Sequence, residues 1–191
     1  MSENQGGFTL PVGFFLFSST PSNDGYLGAL LVTDSRGLPL EFRCTAPVKP
    51  TAIQKLLYGA HLEPHVAVNL CGVPLMESTR NSLCLLLVNR GYLLPIRAFA
   101  KCPVVYVTAV REPVKEALAE LKPDSPSEAV LDLPIGNGHL LKCQWHSSYA
   151  DDKGAIVQHL TECQGHFDPL EPFERVTAAL RFLQEHDKRF T

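Results

Sequence analysis

Two apolar runs, Tyr26–Thr33 and residues 38–45, flank the short polar segment Asp34, Ser35, Arg36 and Gly37. A glycine closing so short a loop between apolar runs is a hairpin signature, and a loop of this length permits only antiparallel pairing. Residues 12–18, apolar and aromatic-rich, come before them across Thr20, Pro21, Ser22, Asn23, Asp24 and Gly25, residue types that favour turns for separate backbone reasons. In the third run Leu38, Leu40 and Phe42 alternate with Pro39, Glu41 and Arg43, which predicts a strand with one wet or edge-like face.

Beyond Pro47 and Pro50, Thr51 can cap a helix that runs through Ile53, Leu56 and Leu57, turned to the core, and stops at Gly59. A second helical stretch over 64–70 ends at Gly72. Residues 83–88 and 92–97, around Asn89, Arg90 and Gly91, resemble the first hairpin and predict a second, followed by a strand over 104–108. Glu112 and Pro113 open a helix carrying Val114, Leu118 and Leu121, closed by Lys122 and Pro123. Strands are expected over 129–133 and 139–145. The last stretch turns to helical period: Ile156, Leu160 and Cys163 form one face, and Leu170, Phe173, Val176, Leu180 and Leu183 another. Asp168, Pro169, Leu170 and Glu171 fit a capping box with proline at the first helical position.

Strands crowd the first part of the chain and helices its end, which predicts an α+β fold. The expected architecture is an antiparallel, hairpin-rich sheet in the first two thirds, helices packed on one face, and a C-terminal helical pair. Its 191 residues suffice for a core that needs neither disulfide nor metal. Residues 1–10 read as a flexible tail and 11–191 as a single domain, with a possible subdomain junction at 122–128.

Seventeen basic residues against 20 acidic ones give a net charge of -3, and neither sign forms a block. Without a basic stripe, nucleic acid is not expected as a partner. The longest apolar run, 83–88, is far too short to span a bilayer, and the polar start has no basic region before an apolar one, so a cytoplasmic protein is expected. Several of the six cysteines sit inside apolar strings, as Cys71 and Cys84 do, and read as reduced, buried thiols.

The sharpest chemical constellation is Cys143 and His146 followed by His159 and Cys163. A pair at a strand end and an i, i+4 pair on a helix is a spacing that tetrahedral zinc can use, with His166 as a substitute ligand. A cysteine nucleophile, with Cys71 and His65 the pair closest in sequence, is the other chemical alternative, although no cysteine sits in a glycine-framed turn entering a helix. Gly136, Asn137 and Gly138 lack a following lysine with serine or threonine, so no phosphate loop is present in the sequence.

With no catalytic frame legible, the sequence leads to a non-enzymatic interaction or scaffold module that binds another protein or forms a homodimer, without a cofactor. Zinc binding and a cysteine-dependent hydrolase are its alternatives. The segment 49–59 supplies the expected partner contacts: Lys49, Gln54, Lys55 and Tyr58 point outward from a capped helix turn.

Overall fold

The computed structural model describes residues 11–111, 128–135 and 139–190. The tail at 1–10, the helix opened by Glu112 and the junction as far as residue 127 lie outside the described residues.

Seven strands form one mixed sheet in the order β3-β2-β1-β4-β5-β7-β6. These are β1 (Val12–Ser19), β2 (Tyr26–Thr33), β3 (Pro39–Cys44), β4 (Leu85–Val88), β5 (Val104–Arg111), β6 (Glu128–Ile135) and β7 (His139–His146). The β1-β2, β2-β3, β5-β7 and β6-β7 pairs are antiparallel, and the two central pairs, β1-β4 and β4-β5, are parallel. The α+β content is as expected, but the hairpin-rich antiparallel sheet is corrected to a mixed one.

The error arises at residues 92–97. They continue no hairpin. Gly91–Ala98 is a 3-10 helix that leads from β4 across to β5. Pro95 lies inside this segment, and proline cannot supply the N–H that a central ladder needs. β4 is instead flanked on both sides by parallel partners, with Val12 opposite Leu85 and Leu86 opposite Val104.

Helices cover both faces, correcting the one-face expectation. On one side, α2 (Leu62–His65), a π-helical stretch over Val66–Gly72 and α3 (Val73–Ser78) run on as one helical rod over Phe15, Phe17, Leu30, Val32, Leu86 and Val88. On the other, α4 (Lys153–Gln164) and α5 (Glu171–His186) pack on Phe14, Leu16, Leu31, Leu85 and Leu87. Strands buried on both faces read as continuous apolar runs rather than alternating ones, which is the pattern of β1 and β4. Phe14 and Phe15, on opposite faces and 0% and 1% exposed, each contribute about 1.5–3 kcal/mol through burial.

α1 (Ala52–Tyr58) has its reciprocal capping box: Gln54 N–H donates to the Thr51 hydroxyl, and the Thr51 N–H donates to Gln54 Oε1. It buries no residue, however. Ile53, Leu56 and Leu57 are 60%, 80% and 76% exposed, so the core face assigned to them is corrected. α5 starts two residues later than its proline-led box implied. Asp168 still serves the entry, accepting from the Leu170 N–H at 2.9 Å, and Pro172 occupies the first turn.

No helix among the described residues is long and apolar enough to cross a membrane.

Candidate functional site

The chain leaves β1 toward β2 and β3 on one side of the sheet, and returns through α2 and α3 to place β4 on the other side of β1. The order therefore reverses between β1 and β4. Strand carboxyl ends at such a reversal diverge into opposite layers and leave a crevice, the usual ligand position in an open α/β sheet. A cleft of about 610 Å³ lies there.

Its floor is the end of β1, from Leu16 to Ser19, and Asn89 just beyond β4. Asn89 Oδ1 accepts from the Phe17 N–H at 3.0 Å and Asn89 Nδ2 donates to the Phe17 carbonyl at 3.1 Å, so one side chain continues the β1-β4 ladder past its last backbone pair. Beneath, Phe17 stacks on Tyr26 at 5.4 Å and meets Tyr92 edge-on at 6.3 Å. The β1-β2 turn makes one wall. Its buried Thr20 donates to Asp24 at 2.8 Å and accepts from the Gly25 N–H at 3.1 Å, and Asn23 takes a left-handed conformation at φ 56°. A stripe of α5, Thr177, Leu180, Arg181 and Gln184, makes the other wall at helical spacing.

Two exposed guanidinium groups, Arg90 and Arg181, line this cleft together with serine hydroxyls and side-chain amides, and among the described residues no carboxylate lines it. Asp24, in the turn beside it, is committed elsewhere. Hydrogen bonds from Ser22, Thr20 and Lys49 hold its carboxyl far below the ordinary range. A divalent ion is held by oxygen ligands, carboxylates foremost, and among the described residues no group of three His, Cys, Asp or Glu side chains could hold a metal ion. The chemistry the lining supports is anion binding.

The sequence-derived sites fare differently. Cys143 and Cys163 are buried core thiols, both pushed up to about 12 by burial. His146 accepts from the Ser148 N–H at 3.2 Å, capping the 3-10 turn Ser147–Asp152, and His159 lies 3.5 Å from Glu162 on its own helix. The structure brings no three of these four together as ligands, and the zinc set is corrected on that geometry. His166 joins no ligand group either. Cys71 is fully buried and its thiol is pushed up to about 11, while His65 bonds Asn69 at 3.1 Å and packs on Tyr58. That is not a nucleophile and its base. Of the outward segment, Lys49 pairs with Asp24 at 3.1 Å, Gln54 closes the α1 cap, and Lys55 and Tyr58 are exposed.

Sequence reasoning missed the cleft because Arg90 and Arg181 stand far apart in the chain. A search for basic runs cannot find them. The usable sign was Asn89 and Arg90 at the end of a wholly apolar strand, where a polar pair leaves the core at a strand's carboxyl end.

No protein-family model matches the chain, and no curated protein sequence matches it. Solved structures do. The endonuclease V of Bacillus subtilis is similar with a TM-score of 0.53 at 10% identity, covering 92% of this chain and 82% of that one. An endonuclease V of Ciona intestinalis, solved with a 23mer DNA containing an inosine, covers 79% of this chain and 77% of that one at 12% identity and a TM-score of 0.47. The likeness in fold to the endonuclease V of Bacillus subtilis corrects the expectations of an interaction or scaffold module, a homodimer, a zinc protein, a cysteine hydrolase and a partner set without nucleic acid.

Proposed function

We propose that this chain binds nucleic acid by its phosphodiester backbone, in the cleft at the carboxyl ends of β1 and β4. The observation that carries this reading is the lining: Arg90 and Arg181, from two different elements, face one cleft with hydroxyl and amide donors and, among the described residues, without a carboxylate. A planar guanidinium fork matches two phosphate oxygens at once, and its charge assists each hydrogen bond. Asn89 and the Thr20 turn hold the floor and one wall in place before a ligand arrives. The likeness in fold to the Bacillus endonuclease V supports nucleic acid as the phosphate's bearer. A net charge of -3 is no obstacle, because the field at a cleft is set by the groups that line it. A cytoplasmic location fits this reading and six cysteines in the reduced state.

Fluorescence anisotropy of labelled oligonucleotides across a salt series tests it. Binding that weakens with salt is expected, and Arg181→Gln should reduce the slope of log K against log salt by about 0.9 on a duplex, or about 0.7 on a single strand. No binding at low salt, or affinity unchanged in the Arg90→Gln, Arg181→Gln double variant, would overturn it.

A further inference from the structure

We infer that the cleft holds its anion without a divalent cation, the guanidinium groups of Arg90 and Arg181 supplying the positive charge that bound metal ions supply elsewhere. The inference rests on reading the cleft as a backbone site, and three observations lead to it.

The first is the fate of two carboxylates on neighbouring elements, Asp24 and Glu63. Asp24 accepts from Thr20 at 2.8 Å and Ser22 at 2.6 Å and pairs with Lys49 at 3.1 Å, and Glu63 takes the Tyr92 hydroxyl at 2.5 Å. Neither lines the cleft. The second is Asn89. Its oxygen and its nitrogen both serve the Phe17 backbone, so turning the oxygen to a cation would break the ladder at the floor. The third is charge. Hard dications bound on a phosphate are held by about six oxygens that include at least one or two protein carboxylates, none of which is among the described residues of the lining, and the two guanidinium groups there repel a dication while attracting the phosphate it would otherwise neutralise. Arg181 forms no ion pair among the described residues, so its charge is not cancelled in advance.

Two measurements on the full chain test this. In a manganese titration followed by electron paramagnetic resonance, with no nucleic acid present, less than about a tenth of an equivalent of bound ion is expected. Oligonucleotide affinity in EDTA and in magnesium at matched ionic strength should agree within about twofold, and inorganic phosphate should compete equally in both. One equivalent of tightly held manganese, or an affinity that collapses more than about tenfold in EDTA, would overturn the inference. If the oligonucleotide binds in neither buffer, the backbone reading itself fails, and the manganese titration alone then decides whether this is a cation site.

Discussion

The side-chain amide of Asn89 spans the ends of β1 and β4, accepting from the Phe17 N–H at 3.0 Å and donating to the Phe17 carbonyl at 3.1 Å. Phe17 is 1% exposed, so both backbone groups are screened from water and depend on this one side chain. Asn89→Ala should cost about 1–3 kcal/mol, the penalty for leaving buried backbone groups unsatisfied. Asn89→Asp should recover only part of it, because a carboxylate accepts from the N–H and cannot donate to the carbonyl. Urea unfolding of both variants checks the ranking, and an Asn89→Asp variant as stable as the wild type would show that the donor half of the pair contributes nothing.

Gly28 sets the distance between β2 and the π-helical stretch. A β-carbon there would lie 2.7 Å from Cys71 Cβ and 3.1 Å from the Phe15 ring. Neither neighbour is a free chain end, so Gly28→Ala should destabilise by about 1–3 kcal/mol through overpacking. Coupling it with Cys71→Gly, which removes the closer atom, should return part of the loss. A midpoint in urea unchanged by Gly28→Ala would mean that the helical rod moves away freely.

Much of the sheet was legible from the chain, and the reasons are local. Tyr26–Thr33 is a strand at the expected bounds, and the three residues Ile156, Leu160 and Cys163, spaced for one helical face, are all buried in α4. What failed were judgements that local pattern cannot make. Residues 92–97 look like a strand by apolar content, Pro95 apart, and the parallel pairing of β4 with β1 and β5 decides against it. The face carrying Ile53, Leu56 and Leu57 has core spacing and no core, since periodicity says which residues share a side and not what lies opposite. The cleft was illegible for a related reason: its two arginines converge only when the strand order reverses between β1 and β4.

Glu41, on the edge strand β3, predicts an acid-sensitive link. Burial opposes its ionisation, but Arg43, Asn81, the Arg80 N–H and Thr79 all donate to it, and together they bring it from an ordinary 4.5 down to about 2. A depressed carboxyl contributes stability that is whole above the unfolded value and is lost as pH falls through the folded one. The wild-type urea midpoint should therefore drop between about pH 5 and pH 2, and Glu41→Gln should flatten that part of the profile while lowering the plateau above it. An unchanged profile in Glu41→Gln would place the acid sensitivity in other carboxylates.

Cysteine labelling tests the burial of the thiols directly. Burial raises Cys71 and Cys84 to about 11 and Cys102, Cys143 and Cys163 to about 12. A thiol at about 12 is ionised at roughly one part in ten thousand at pH 8, so these groups should alkylate slowly in the native chain and completely in urea. Rapid native labelling of Cys71 would restore it as a reactive group and contradict its packing against β2.

Arg97 and Asp152 join the two 3-10 segments that flank β5 and β7. Arg97 Nε donates to Asp152 Oδ2 at 2.6 Å and a terminal nitrogen to Oδ1 at 3.1 Å, while the other terminal nitrogen reaches the Ala100 carbonyl at 3.0 Å. The guanidinium also lies 4.4 Å from the Tyr149 ring centre, at the residue where Ser147–Asp152 departs from helical backbone angles. Side-chain exposures of 20% and 13% make this a partly buried, fully engaged pair, unlike a surface one. Arg97→Lys keeps the charge and loses the fork and the ring contact, so it should recover little of the roughly 2–3 kcal/mol that Arg97→Ala costs. In a double-mutant cycle with Asp152→Asn, a coupling energy near zero would show that the pair acts by packing alone, whereas the bidentate geometry calls for coupling on the order of 1 kcal/mol or more.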